Sequence, residues 1–455
     1  MRRIRQPFFF IVLSIFGFAF LPGLLSAQPS IEIDLSRETR REVRIAVPAF
    51  VQVGANPKPN PLGEEARKIL ENDLRLSELF VPEKPETYGP LAEAEGGDPA
   101  IDYQAWNNLG VQWVIKTKFS VEENKTLSLV FRLYDAVNSR FLVGKRYRAH
   151  PALLRRIIHR FADEVVAQLT GKPGVAETRI AFVKEEEHKE GKTTKVYKEL
   201  YTVDFDGHNL KQLTNDQSIA LTPTWSPGGE RLVFTSYVDN NPDLIMIDLA
   251  NKERRAILKL PGLNAAPAWS PDGSKIALVL SRDDNSEIYI LDKDAQLTRL
   301  TRHFNIDTSP AWSPDGKKIA FTSDRSGTGA PQIYIMDAKD GDNGTVERIS
   351  FGSSYNDNPV WSPDGERIAY TSRVGRRFQI KIYNVKTRNT LNFTSGLGSG
   401  EEPSWSPDSR FIVYRHTEKG KKHLYIKRIG SDKARKLSSL SDGALHPAWS
   451  PRLSN

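Results

Sequence analysis

The chain has 455 residues, 39% of them hydrophobic, and a formal charge of +8 at neutral pH. That length gives room for two domains with cores of their own. There is no cysteine, which excludes disulfide frameworks, thiol catalysis and thiolate metal sites, and an oxidising compartment poses no hazard to such a chain. Three of the positive charges belong to Arg2, Arg3 and Arg5, leaving +5 on the rest, scattered among acids with no basic stripe interleaved with aromatics. That pattern reads as solvated surface, and no nucleic-acid partner is expected.

Residues 1–27 read as a signal peptide: a basic start, an apolar stretch from Phe8 to Leu25 broken by Pro22 and Gly23, and Ser26-Ala27 as the small residues for cleavage. An uncleaved membrane anchor is the alternative, because the apolar stretch approaches the length of a span. The helix breakers favour cleavage near Ala27 and export. Residues 28–175 are expected to form an N-terminal α/β domain with an N-terminal arm. The arm starts polar and then alternates at Ile31, Ile33 and Leu35, as a mobile segment or an edge strand would.

Residues 43–47 read as a strand, 56–61 as a loop, and 62–76 as a helix with Ala66, Ile69, Leu70 and Leu74 on one stripe. A loop rich in Pro, Gly and Glu is expected over 81–99, and a second helix over 101–109. Strands follow at 112–119, 126–135 and 140–149. In the middle one Leu127, Leu129, Phe131 and Leu133 share a face, which suits a sheet covered on one side by helices. A helix opens at Pro151, carries Leu154, Ile158, Phe161 and Val165 inward, and ends at Gly171. Lys172-Pro173-Gly174 is a short stiff hinge.

From there the sequence repeats. A Trp-Ser-Pro core recurs at Trp225, Trp269, Trp312, Trp361, Trp405 and Trp449, at intervals of 44, 43, 49, 44 and 44 residues. The third copy shows the unit best: Pro310-Ala311-Trp312-Ser313-Pro314-Asp315-Gly316, then an apolar run at Ile319-Ala320-Phe321, a polar turn, and two further short strands. Pro presets φ, Asp favours the turn and Gly accepts the left-handed position that closes a hairpin. Four strands per unit and no helical period predict a six-bladed β-propeller over residues 176–455. The last copy stops after its first strand, and Thr178-Arg179-Ile180-Ala181-Phe182-Val183 looks like a second strand without a first. The C-terminal strand is therefore expected to complete the blade begun near Arg179. The charged insert 184–198 is expected to lengthen a hairpin in that blade.

No catalytic constellation stands out. The Gly-x-Ser-x-Gly elbow of serine hydrolases is absent. Residues 337–344 superficially resemble a calcium loop but lack the distal Glu and fall where a strand turn belongs. The eight histidines form no ligand pair at helix or hairpin spacing, so no metal or cofactor is expected. The repeat tryptophans read as inter-blade core. A better candidate is the end of the ring where loops lead into each Pro-x-Trp, because these loops vary from blade to blade while the Ser-Pro-Asp-Gly turns hardly change.

The repeats at 267–278 and 310–321, together with Arg132-Leu133-Tyr134-Asp135 and the junction Leu169-Thr170-Gly171-Lys172-Pro173-Gly174, resemble the TolB family, periplasmic components of Tol-Pal systems. The resemblance runs over essentially the whole mature chain. It implies a monomeric, non-enzymatic periplasmic adaptor supporting outer-membrane integrity and constriction at cell division. A Pal-like lipoprotein would dock at the channel mouth on Leu221, Thr222, Leu263, Asn264, Ala266, Asp307, Thr308, Asn356, Asn358, Glu401, Glu402 and His446. A TolA-like inner-membrane protein would engage the arm residues Gln28, Pro29, Ser30, Ile31, Glu32, Ile33, Asp34 and Leu35. The sequence departs from the repeat pattern at Ser226-Pro227-Gly228-Gly229 and Ser406-Pro407-Asp408-Ser409. The competing reading is an exported propeller hydrolase or lyase acting on peptide or carbohydrate, which would need acids and histidines converging in the channel.

Overall fold

The alternation at Leu127, Leu129, Phe131 and Leu133 becomes the centre of a sheet in the computed structural model of the protein, which describes residues 42–54, 61–96, 99–123, 125–191, 193–437, 440 and 442–453. The expected signal peptide and N-terminal arm lie outside the described residues. Strands β1 (Val43–Ala46), β2 (Val51–Gln52), β3 (Phe80–Pro82), β4 (Trp113–Val121), β5 (Leu127–Asp135) and β6 (Arg140–Ala149) form that sheet in the order β3-β1-β4-β5-β6, with β2 beside β4. Helices α1 (Leu62–Leu76) and α4 (Leu154–Thr170) cover the face carrying Ile45, Ile115 and the β5 leucines. Phe131 stacks on Phe161 with ring centroids 4.1 Å apart, both rings wholly buried. Truncating either to alanine would cost about 3–5 kcal/mol.

Two expectations fail in this region. The supposed loop 81–99 contains the end of β3 and a helix, α2 (Pro85–Glu95), while the second helix shortens to α3 (Tyr103–Asn108). Pro85 at the first turn needs no amide partner, which suits it to start a helix. Tertiary contact then outweighs the poor propensity of Gly89 and Pro90: Tyr88 is buried, donates its hydroxyl to the Val47 carbonyl at 3.0 Å and packs on Trp106 at 5.6 Å. The sheet is also not covered on one side only. Ala46 and Val114, which alternate with Ile45 and Ile115, pack against Tyr88 and Trp106 on the opposite face.

Gly171, at φ 72°, ends α4 in the left-handed conformation that glycine adopts without penalty. The linker beyond it is held rather than loose. Asp163 accepts the Ala176 amide at 2.7 Å and the Glu177 amide at 3.1 Å, and Arg452 from the far end of the chain donates to the Pro173 and Gly174 carbonyls.

Six four-stranded antiparallel sheets follow, each in simple up-and-down order. Their inner strands are Ala220–Trp225, Asn264–Trp269, Asp307–Trp312, Asn356–Trp361, Ser399–Trp405 and Ala444–Trp449. As the end-counting predicted, the last of these pairs with β7 (Arg179–Glu190), Trp449 opposite Ile180 and Ala448 opposite Ala181, and β8 (Thr193–Asp204) and β9 (Lys211–Gln212) complete that blade. The insert does lengthen the β7–β8 hairpin, which stays in register from Arg179↔Asp204 out to Glu190↔Thr193.

In the Ser-Pro-Asp-Gly turns, Ser313 Oγ donates to Asp315 Oδ1 at 2.6 Å and Gly316 N donates to the Ser313 carbonyl at 2.9 Å. Ser409, at φ 60°, makes the same backbone bond to Ser406, so the departing sequence still turns. Tryptophan joins the blades: the indole N–H groups of Trp225, Trp312 and Trp405 donate to the carbonyls of Ala448, Ala268 and Val360 in the preceding blade.

Asp163→Ala would leave two backbone amides near the linker without their acceptor, at about 1–3 kcal/mol each when buried. The expected result is a loss of about 2–4 kcal/mol in urea unfolding, with the melting of α4 and the propeller becoming separable.

Candidate functional site at the channel mouth

Each inner strand contains the same irregularity. Leu221 pairs with Thr235 and Thr224 with Val233, so Thr222 and Pro223 together face one residue of the neighbouring strand. The corresponding slips lie between Ala265 and Ala268, Thr308 and Ala311, Asp357 and Val360, Glu401 and Ser404, and Leu445 and Ala448. These are β-bulges, which re-aim a side chain at the cost of a broken ladder. Proline as the second bulged residue gives up no amide bond. The first bulged residue is left-handed in all six blades: Thr222, Ala266, Ser309, Asn358, Glu402 and His446, with φ between 45° and 56°.

Those six residues line a central channel of about 380 Å³ together with the prolines that follow them and with Trp269, Trp312, Trp361 and Trp405. The backbone is six-fold and the side chains are not. One half of the ring presents Thr222, Ala266 and Ser309, small and neutral; the other presents Asn358, Glu402 and His446.

Five of the twelve residues singled out from sequence therefore line the channel: Thr222, Ala266, Asn358, Glu402 and His446. Ser309 takes the place expected for Thr308, because the bulge shifts the channel-facing position by one. Asn264, Asp307 and Asn356 are not mouth-loop residues but the first residues of their inner strands, each 0% exposed. Asp307 is paired with Arg325 at 2.8 Å, and burial pushes its carboxyl above the ordinary aspartate value although Arg325 opposes this. Asn264 donates to the carbonyls of Pro242, Leu260 and Gly262, and Asn356 donates to Gln332. Such polar residues look like loop residues in sequence because their hydrogen-bond partners are not local. Leu221, Leu263 and Glu401 lie beside the channel without lining it.

The acids around the channel are already engaged. Asp357 accepts from Ser309 at 3.1 Å, Thr322 at 2.8 Å, Tyr355 at 3.0 Å and the Asn358 amide at 2.7 Å, which ties neighbouring blades together. Glu401 meets Arg415 at 2.5 Å. Glu402 accepts the His446 amide at 2.7 Å and lies 3.4 Å from both His446 Nδ1 and Arg415. Burial holds the His446 imidazole below its ordinary value against the pull of Glu402, so it is neutral at pH 7. Residues 337–344 form a strand turn in which Asp337 accepts the Lys339 amide at 2.9 Å.

Around the mouth, three consecutive blade-to-blade loops carry large exposed apolar side chains: Phe304 at 81% exposure, Phe351 at 64% and Leu397 at 70%. Isolated exposed apolar residues are ordinary, whereas large exposed apolar patches mark interaction surfaces. A larger cleft of about 650 Å³ opens between the blades that carry Trp269 and Trp312, and it shares Pro271 and Trp312 with the channel lining. Its acids Asp272, Asp292 and Asp315 each accept hydrogen bonds within their own turns, from Ser270, from the Asp294 and Gln296 amides, and from Ser313.

Sequence reasoning missed one cluster away from the channel. Asp73, His159 and Asp206 bring ligand-type atoms within 4.8 Å of one another. Asp73 and His159 are 86 positions apart, so no local spacing reveals them.

The left-handed bulge gives a direct test. An alanine in this conformation costs about 1–2 kcal/mol, whereas glycine loses about 0.4–1 kcal/mol through the entropy of the unfolded chain. Ala266→Gly is expected to raise stability by up to about 1 kcal/mol in urea unfolding, and Ala266→Val to lower it.

Residues 166–453 match the family described as TolB beta propeller domain, and residues 31–142 the one described as TolB amino-terminal domain. A Tol-Pal system protein TolB from Desulfosudis oleivorans is 34% identical over 254 residues, 54% of either chain. Another from Paramagnetospirillum magneticum is 32% identical over 263 residues, 58% of this chain and 56% of its own. The chain thus spans about half the length of the curated relatives it matches. The solved structure of TolB from Acinetobacter baumannii is 26% identical and superposes with a TM-score of 0.74, covering 90% of this chain and 97% of that one. The propeller match alone takes in more than half of the sequence, and the chain belongs to the TolB family.

Proposed function

We propose that the chain is a non-enzymatic periplasmic adaptor of a Tol-Pal system. It is exported by a signal peptide cleaved near Ala27, with an N-terminal domain over 28–175 and the propeller over 176–455, and it works as a monomer. The propeller mouth docks a Pal-like peptidoglycan-associated lipoprotein, and the arm from Gln28 to Leu35 engages a TolA-like inner-membrane protein. Together these contacts serve outer-membrane integrity and constriction at division.

The observation that carries the docking face is the exposed row Phe304, Phe351 and Leu397 beside a channel ring whose side chains differ in every blade. Apolar anchors next to a polar, asymmetric recess suit a protein partner held in one orientation. The names of the relatives support the system. Two distinct sites on one molecule allow binding at one to alter affinity at the other.

An enzymatic reading draws no support from the channel. A hydrolase or lyase needs an acid or base free to meet substrate, and Asp307, Asp357, Glu401 and Glu402 are each committed to a partner within the protein.

Capture from envelope extract tests the adaptor. The mature protein is expected to retain a Pal-like lipoprotein and a TolA-like protein. Phe351→Glu/Leu397→Glu is expected to weaken capture of the lipoprotein by about tenfold or more at an unchanged melting temperature. Deleting 28–35 is expected to lose the TolA-like protein alone. A folded wild type that retains neither would overturn the reading.

A further inference from the structure

The Asp73, His159 and Asp206 cluster lies where the N-terminal domain meets the propeller. His159 sits on α4, Asp73 on α1, and Asp206 in the turn between β8 and β9 of the closing blade. His159 Nδ1 is 2.7 Å from Asp73 Oδ2, and its Nε2 is 3.8 Å from Asp206 Oδ2. The side chains of all three are at least nine-tenths buried. Asp73 Oδ1 and His159 Nε2 have no hydrogen-bond partner. None of this belongs to the channel, and the proposed docking reading does not use it.

We propose that His159 is a protonation-sensitive latch between the two domains: its imidazolium bridges Asp73 of the N-terminal domain and Asp206 of the propeller, and loss of the Nε2 proton releases the propeller side.

Charge balance favours the proton as the group that completes the cluster. Arg155, one turn before His159 on the same helix, pairs with Asp206. With both carboxylates ionised, two negative charges face one guanidinium and a protonated His159 brings the buried sum to zero; burial pushes the Asp73 carboxyl up, and the charge and hydrogen bond of His159 oppose that push. A divalent cation would have to sit against Arg155 on the same Asp206 carboxylate. Of the other charged groups packed nearby, His208 shares the Asp206 carboxylate, and the rest have partners outside the cluster. His208 lies 3.3 Å from Asp206 at the exposed side of the turn, and Arg435 donates to the Phe205 carbonyl at 3.0 Å. Arg428 donates to the Glu78 carbonyl at 2.6 Å, and Arg156 pairs with Glu177 at 3.1 Å. Asp163, one turn after His159, is bound to the linker amides, and burial pushes its carboxyl up to about 7.

Burial alone would lower the His159 value. The charge and hydrogen bond of Asp73, and then the charge of Asp206, outweigh it and hold the imidazole above the ordinary histidine value. A histidine raised in the folded state stabilises fully below its unfolded value, about 6.5, and that contribution disappears as pH climbs through the folded value. The latch is thus closed in mild acid and opens as pH rises through a midpoint above the ordinary histidine value.

The test uses the whole mature protein with labelled histidines. His159 is expected to titrate above the ordinary histidine value by NMR. Amide protection at 73–79 and 204–208, corrected for intrinsic exchange, should fall on the order of tenfold as pH rises through that midpoint. In His159→Gln the fall should vanish. Asp206→Asn should lower the midpoint in a protein that keeps the Asp73 bond, which serves if the glutamine variant fails to fold. A His159 midpoint at or below the ordinary value overturns the proposal, as does a fall in protection that persists unchanged in the variants. A melting temperature raised by zinc in the wild type and not in His159→Gln overturns it too, by making the cluster a cation site.

Discussion

The ladder between the C-terminal strand Ala444–Trp449 and β7 holds the ring shut, and the geometry of every other part depends on it. The contact is reinforced by the Trp449 indole, which donates to Thr178 at 2.9 Å across 271 residues of sequence. Without it the propeller has two open sheet edges, each a row of unpaired amides and carbonyls. With it, six inner strands stand at one radius around the axis, and whatever they carry converges. The indole bonds of Trp225, Trp312 and Trp405 then repeat between neighbouring blades what the closing strand does for the whole.

That convergence explains how a repeated backbone yields a surface that is not repeated. The bulge is a property of the Pro-x-Trp segment, since proline removes an amide from the ladder and the residue before it turns left-handed. The bulged position is free to vary because its side chain leaves the blade for the channel. Packing constrains the residues behind it instead, such as the buried Asn264 and Asn356, which bond to the preceding blade and its connecting loop, and Asp307, which pairs with Arg325 in its own blade. The same segment thus separates a structural layer from a variable one by a single residue.

Much of this was legible in the sequence. The tryptophan spacing predicts six blades, the solitary strand at Arg179 predicts the closure, and the apolar stripe predicts α1 to the residue. What escaped was assembled by contacts that no window of sequence contains. Helix α2 exists because Tyr88 reaches Val47 and Trp106, although Gly89 and Pro90 argue for a loop. The shift from Thr308 to Ser309 follows from a one-residue register slip, and such a slip exchanges inward and outward side chains. The buried pairing of His159 with Asp73 and Asp206 joins three separate elements, so its charge is invisible until they meet.

The closure also sets an order of events in the life of the chain. Strand β7 is made long before its ladder partner Ala444–Trp449, so the ring cannot form until the strands of all six blades have been made. Contacts of such long sequence separation are slow to find, because the loop between them must be closed first. The intermediate with five blades and an open seam exposes strand edges that invite wrong pairing. A protein built this way completes its channel only when the closing strand is in place, and a copy truncated before Ala444 has no closed ring.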